Sequence, residues 1–509
     1  MKKLFIPILF VFVFFGCTPK VEDETPPNII FFLADDLGYG DAGVYGQERI
    51  KTPNIDALAK SGMRFTQHYS GAPVCAPARC VFLTGKHTGH AFIRGNDEWA
   101  ARGEVWNYEK AISDPGLEGQ RPIPGNTVTL AGLLKMAGYE TGIFGKWGLG
   151  APGSEGIPNL QGFDYFYGYN CQRQAHNLYP PHLWENTEKV LLNNEIVPPG
   201  TKLDSLADPY EETSYTKFRQ NEYAPEKIHQ KALAFMKQNK DTPFFMYYAS
   251  PLPHLPLQAP KEYVDKYRED FGEEKPFIEN KGYFPNRYPR ATYAAMITYL
   301  DNQLGELVST LKEIGIYENT VIIFSSDNGP TYTGGVDFDF FESSKPFSNG
   351  YGRTKGFVYE GGIRVPLIAC WPDHIEAGTI SDHISAFYDL MPTILDISGL
   401  KPPGNIDGIS FKSVLLSQEQ KQHDFLYWEF PSHSGQQAVR MGKWKGVRKN
   451  IFDGNLSIEL YDLETDLEEK NDVSNQYPEI VRMIENIMKQ EHQPSTIMKF
   501  KFKQLGDID

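Results

Sequence analysis

Ile29 to Ala34 (Ile-Ile-Phe-Phe-Leu-Ala) is apolar at every consecutive position, without the in-out alternation of a half-exposed strand. Such a run, opened here by Asn28, fits a strand buried on both faces, as in a parallel sheet covered by helices. Thr320 to Ser326 repeats the pattern, and Thr141 to Phe144 and Phe244 to Ala249 are shorter versions of it. Tyr293, Met296, Ile297, Leu300, Leu304, Leu307, Leu311 and Ile314 recur at three-four spacing and predict a long helix with one buried stripe. A helix feeding a buried strand is the unit of an α/β fold. After about Gly404 the texture changes. Phe425 to Phe430, Ala438 to Arg440, Trp444 to Arg448 and Leu460 to Leu463 are short, partly alternating segments, followed by Ile480, Met483, Ile484, Ile487 and Met488 at helical spacing. The expected architecture is therefore a large mixed, mostly parallel sheet between helices over 28–404. A smaller α+β domain, an antiparallel sheet plus a helix, is expected over 405–509. A length of 509 residues favours such a division over one core.

The buried runs end in residues that can do chemistry. The first leads into Asp35-Asp36, the Thr320 run into Asp327-Asn328-Gly329, the Thr141 run into Gly145-Lys146-Trp147, and the Phe244 run into Pro253-His254. Ligands in α/β sheets bind beyond the carboxyl ends of strands. Any one of these residues alone reads as a turn former or a solvated lysine; all of them at the same strand ends read as a site. Three carboxylates and an amide oxygen, without clustered thiolates or imidazoles, suit a hard cation, Ca²⁺ or Mg²⁺ rather than Zn²⁺. Adjacent Asp35 and Asp36 would repel in a closed cleft without such an ion.

Composition narrows the partners. With 50 Lys and Arg against 65 Asp and Glu, the net charge is −15, which disfavours nucleic acid but leaves small anions open to a local basic cleft. Lys2 and Lys3 precede an apolar stretch, Leu4 to Phe15, that is too short to span a bilayer. Gly16-Cys17 then resembles the end of a bacterial lipoprotein signal over 1–17, with a lipid anchor at Cys17. Bulky Phe14 and Phe15 keep a plain secretory signal open. Either leader exports the chain, to the periplasm or the outer membrane, with 18–27 as a Pro-rich and acidic linker. If Cys17 and Cys75 are modified, Cys80, Cys171 and Cys370 allow one disulfide at most.

Cys75-Ala76-Pro77-Ala78-Arg79, followed by Leu83-Thr84-Gly85, resembles the sulfatase maturation signature. Read with Ala34-Asp35-Asp36-Leu37-Gly38, Gly145-Lys146-Trp147, Pro253-His254, Ser326-Asp327-Asn328-Gly329 and Lys355 before Glu360 to Pro366, it makes the chain resemble type I, formylglycine-dependent sulfatases. These belong to the alkaline-phosphatase-like superfamily, and the resemblance runs from about Asn28 to the C-terminus. It implies that a maturation enzyme oxidises Cys75 to formylglycine, whose hydrate attacks sulfur and later releases sulfate as the aldehyde returns. It further implies that Asp35, Asp36, Asp327 and Asn328, with residue 75, bind the cation, expected to be Ca²⁺. Arg79 would hold the diol, Lys146 and Lys355 the sulfate oxygens, and His254 would protonate the leaving alcohol. A helix opening near Pro77 would add its positive end beneath the anion, and Lys86 is a further nearby cation.

This chain departs from the family pattern at Gly148, where many members carry a histidine that contacts the formylglycine hydroxyl. His176 and His87 are candidates to replace it. Arg173, His176 and His433 are candidate substrate contacts, and aromatic residues between Tyr165 and Trp184 offer sugar-stacking faces, although core packing accounts for them equally well. The expected substrate is a sulfated saccharide. Two rivals are a phosphatase or phosphodiesterase of the same superfamily, which would use Ser or Thr with His-rich zinc sites, and an inactive glycan-binding protein on the same fold.

Overall fold

Five parallel strands form the middle of a ten-stranded sheet, in the order Thr320–Ser326, Asn28–Ala34, Phe244–Ala249, Glu140–Lys146 and Tyr165–Tyr169. The computed structural model describes residues 26–278 and 282–508, so the leader, Cys17 and most of the 18–27 linker lie outside the described residues. Beyond Thr320–Ser326 the sheet continues with antiparallel Leu367–Cys370, then Met63–Phe65 and Thr379–Ser381. At the other edge His182–Glu185 and Glu188–Leu191 add an antiparallel hairpin.

The uninterrupted apolar runs are explained by two cores, one on each face of the sheet. Ile29, Phe31 and Leu33 enter the first, with Phe82 and Phe387, while Ile30, Phe32 and Ala34 enter the second, with Leu300, Leu304 and Leu307. A period-two side-chain alternation thus meets apolar partners on both sides. The long helix is Pro289–Glu313, and its expected stripe from Tyr293 to Leu311 is buried against the second core, with Ile314 at the cap.

One expectation is borne out here and one corrected. The helix expected to open near Pro77 begins at Cys75 and runs to Thr84, with every residue buried. Pro77 is tolerated because the first-turn N–H groups of a helix have no intrahelical partner. Gly85 ends it in the left-handed conformation, φ 66°, and its N–H donates to the Val81 carbonyl. The aromatic stretch between Tyr165 and Trp184 is core rather than cleft wall. Tyr167, Tyr169 and Trp184 are buried because Tyr165–Tyr169 and His182–Glu185 are themselves strands of the large sheet, and Tyr179, between them, is buried in the second core. Cys75, Cys80, Cys171 and Cys370 are free thiols.

The C-terminal sheet is antiparallel, in the order Leu426–Phe430, Gln436–Met441, Trp444–Lys449 and Glu459–Asp462. Ile484 and Met488 of helix Pro478–Glu491 cover one face with Tyr427, Val439 and Leu460. The other face, Trp428, Phe430, Ala438 and Val447, joins the first core of the large sheet. This junction reaches the strand-end loops. The Trp428 indole N–H donates to the Ser70 carbonyl at 2.8 Å, and the Ser70 hydroxyl donates to the Asp327 carbonyl.

Trp428→Phe leaves the Ser70 carbonyl without its donor and a gap beside it. We expect a loss of about 1–3 kcal/mol in urea unfolding, the range for an abandoned buried polar group. We also expect weaker divalent-cation binding in calorimetry, because Asp327 is held through Ser70.

Candidate active site

Strand register assembles the site. Ala34 lies opposite Ser326, and Leu33 and Gly145 both lie opposite Ala249, so the residues that follow each strand emerge side by side. Lys146 is the last residue of its strand and Asp35 and Asp327 come just past theirs. Asp36 adopts the left-handed conformation, φ 67°, which is uncommon outside glycine. Its N–H donates to Asp327 Oδ1 at 3.1 Å. This twist lets two successive carboxylates serve one site instead of opposite faces.

The cations surround these carboxylates. Lys146 Nζ lies 2.6 Å from Asp35 Oδ2 and 3.4 Å from Cys75 Sγ. Cys75 Sγ lies 3.3 Å from Asp35 Oδ1. Arg79, one helical turn on, reaches Asp327 Oδ2 through Nη2 at 2.9 Å and Nε at 3.2 Å, approaches Asp35 at 3.3 Å, and donates to the Lys146 carbonyl. It therefore anchors the carboxylates and the end of a strand. Lys355 Nζ lies 2.6 Å from Asp36 Oδ2, and His254 Nε2 lies 3.7 Å from the same oxygen. The His254 Nδ1–H donates to the Leu255 carbonyl at 2.6 Å, which leaves Nε2 facing the site.

Burial and charge set the protonation states. Burial alone would raise Asp35, but Lys146, His254, Arg79 and Lys355 together hold it far below the usual carboxylate range. Burial pushes Asp327 up to about 7, aided by Asp35 and opposed by Arg79, and it also raises Asp36 against Lys355. Burial, with Asp35, pushes the Cys75 thiol up, the reverse of the depressed thiol of a cysteine nucleophile. Burial, Lys355 and Lys146 keep His254 neutral.

Two features fit a divalent cation. Asn328 Oδ1 is buried without a hydrogen-bond partner, while its Nδ2 donates to Asp36 Oδ1 at 2.8 Å and to the Gly329 carbonyl at 2.9 Å. Donor atoms of Asp35, Asp36, Cys75 and His254 lie within 4.8 Å of one another. An orphan amide oxygen beside crowded carboxylates is a donor set for a hard ion.

A cavity of about 360 Å³ opens onto Cys75, Lys146 and His254, and Arg173 and His176 also line it. The His176 ring stacks on that of His254, with centroids 5.2 Å apart. His433 stands away from this cavity, against Phe357 at 4.6 Å, just after Lys355-Gly356. His87 is drawn off to Glu491, with Nε2 3.1 Å from its carboxylate, and Lys86 lines a different hollow. At Gly148, φ 81°, a Cβ would come within 2.9 Å of Gln172 Cγ, so the space beside residue 148 is filled by a glutamine. Gln172 and Glu98 line the same cavity and were not legible as site residues, since in sequence they are ordinary loop polar residues.

With this geometry in view, comparison with known proteins is direct. Residues 27–400 match the family described as Sulfatase, and residues 351–494 match N-sulphoglucosamine sulphohydrolase, C-terminal. The chain is 31% identical over 425 residues to N-acetylgalactosamine-6-sulfatase of Rattus norvegicus, covering 82% of this chain and 71% of that one. It is 30% identical over 448 residues to arylsulfatase A of Homo sapiens, covering 82% and 74%. The crystal structure of Ps i-CgsB, also solved in complex with k-i-k-neocarrahexaose, superposes with a TM-score of 0.70 at 28% identity, covering 92% of this chain and 94% of that chain. The chain belongs to the sulfatase family, the hydrolases of sulfate esters.

Asn328→Ala removes the orphan oxygen while sparing the charges. A divalent cation at a hundred times its dissociation constant stabilises a native state by about 2.7 kcal/mol. We expect a corresponding rise in melting temperature for the wild type and a much smaller rise for Asn328→Ala.

Proposed function

We propose that this protein removes sulfate from a sulfated saccharide outside the cytoplasm, using residue 75 after its oxidation to formylglycine by a maturation enzyme. The observation that carries the reading is the arrangement of Asp35, Asp36, Asp327 and the orphan Asn328 Oδ1 around residue 75, with Lys146 Nζ 3.4 Å from Sγ. Once formed at residue 75, formylglycine would supply a hydrated aldehyde, whose one oxygen can serve as nucleophile toward sulfur and whose geminal hydroxyl would allow sulfate to be released with return of the aldehyde. Asp35, Asp36, Asp327 and Asn328 would hold Ca²⁺, with Mg²⁺ as the alternative, and the ion would polarise the sulfate.

The chain's own residues do the rest. Lys146 and Lys355 flank the carboxylates and are placed to take the sulfate oxygens as charge grows on them. Arg79 fixes Asp327 and the end of the Lys146 strand, and the Cys75–Thr84 helix points its positive end at residue 75. His254 Nε2 faces the site; burial first, then Lys355 and Lys146, keep it neutral, and an anionic sulfate ester would offset the two lysines so that it can carry the proton for the leaving oxygen. His176 keeps the His254 ring in plane. Export through the 1–17 leader, anchored at Cys17, would place the enzyme beside extracellular saccharide. A phosphatase reading is disfavoured by the ligand set. Among the described residues, His254 is the one imidazole in the cluster that holds Asp35, Asp36 and Cys75.

Mass spectrometry of the peptide containing residue 75, from a host that has the maturation enzyme, should show the thiol replaced by an aldehyde. A free thiol in fully active protein would contradict the mechanism. Chelation should abolish activity, with recovery on Ca²⁺; recovery on Zn²⁺ alone would overturn the ion assignment. His254→Ala should slow alkyl sulfates far more than activated aryl sulfates, by about 100-fold or more, in steady-state kinetics; equal losses would remove its acid role.

A further inference from the structure

The cavity beside residue 75 holds polar atoms that sulfate chemistry does not use. Glu98 Oε2, Gln172 Oε1 and Arg173 Nε are all buried without a hydrogen-bond partner, and all three residues line the cavity that contains Cys75, Lys146 and His254. Neighbouring groups are already engaged. Asp97, next to Glu98, pairs with Arg121 at 2.7 Å and with Lys499 at 3.0 Å. The Gln172 amide N–H donates to Asn96 Oδ1 at 3.2 Å, and Ala76 N–H, in the first turn of the Cys75 helix, donates to the same oxygen at 3.2 Å. The Arg173 guanidinium lies over the Trp106 ring at 4.8 Å, and Trp106 is 64% exposed at the rim.

An unpaired buried polar group costs stability and calls for an explanation. Sulfate oxygens are acceptors only, so they cannot satisfy the Gln172 amide oxygen or the carbonyl oxygen of the Glu98 carboxyl. These acceptor atoms must meet hydrogen-bond donors on the other half of the substrate. Aryl and other hydrocarbon leaving groups offer none, whereas sugar hydroxyls and sugar amides offer donor and acceptor together. Burial pushes Glu98 up to about 8 although Arg173 opposes it, so near neutral pH this carboxyl keeps a proton and can both give and take a hydrogen bond.

We infer that Glu98, Gln172 and Arg173 are specificity residues that read the hydroxyl or amide groups of a sugar leaving group, making the enzyme selective for saccharide over aryl sulfates. This rests on the proposed function and names the alcohol half of its substrate. The set also accounts for the chemistry beside Gly148, where Gln172 occupies the space that a side chain at that position would need.

The test uses mature enzyme made with the maturation enzyme and supplied with Ca²⁺. A panel of hexose and N-acetylhexosamine monosulfates is compared with 4-nitrophenyl sulfate, and the best saccharide is then assayed in versions lacking one hydroxyl at a time. For Glu98→Ala we expect the ratio of saccharide to aryl kcat/KM to fall about 10- to 100-fold, the effect of one buried hydrogen-bonding group. We expect that penalty to vanish on the deoxy sugar that lacks the hydroxyl Glu98 reads, because each change then removes the same contact. Glu98→Gln, which keeps volume and hydrogen-bonding capacity, should retain most of the ratio. It also serves as the folded control if Glu98→Ala melts early. An unchanged ratio in Glu98→Ala, or a wild type that prefers the aryl sulfate, overturns the inference while leaving the sulfatase reading intact. A wild type inactive on every sulfate ester, with residue 75 correctly oxidised, would instead sink the proposed function beneath it.

Discussion

The structure depends on holding three buried carboxylates, Asp35, Asp36 and Asp327, within reach of one another. Charges taken out of water survive only when paired and hydrogen-bonded. Here Arg79, Lys146 and Lys355 provide the pairing, at distances of 2.6–3.3 Å. Even so, Asp36 and Asp327 resist ionisation, which leaves the cluster poised to gain from a divalent cation next to the orphan Asn328 oxygen. A site built this way is costly to assemble and rigid once assembled, and such rigidity suits a reaction whose main demand is fixed charge around a sulfuryl group.

That cost is met by the surroundings. The five parallel strands are buried on both faces, so their ends cannot slide without moving the apolar contacts of two cores. The C-terminal sheet shares the first of these cores and touches the strand-end loop through Trp428, Ser70 and Asp327. It thus acts as a buttress for Asp327 as well as a cover for the sheet. A second buried knot at the same junction, Lys445 between Glu360 and Glu469 at 2.8 and 3.1 Å, fixes the segment that follows Lys355.

The division between fixed and variable parts follows from this frame. Strand ends and the first turn of the Cys75 helix hold the groups proposed to act on sulfate, while much of the adjoining cavity wall comes from loops and short 3-10 turns, which can change without disturbing the cores. Glu98 sits on such a loop, and Gln172 and Arg173 open the short 3-10 turn Gln172–His176. The same frame can therefore serve different alcohols, and the unpartnered polar atoms of this cavity are where the chain's own preference is written.

Much of this was legible in the sequence by itself. Unbroken apolar runs from Ile29 and Val321 announced strands buried on both faces, and the three-four spacing from Tyr293 announced the helix over them. Local order also brought Cys75 and Arg79 together, since they are one turn apart on a single helix. Other facts needed the folded chain. Periodicity cannot tell a core aromatic from a cleft aromatic, so the residues from Tyr165 to Trp184 fitted a sugar platform and a core equally well until the sheet claimed them. Nor does any local pattern link Trp428 to Ser70, set Gln172 beside Gly148, or leave Glu98 without a partner. These depend on contacts between distant segments, and tertiary packing alone decides which polar atoms are satisfied and which are left for the substrate.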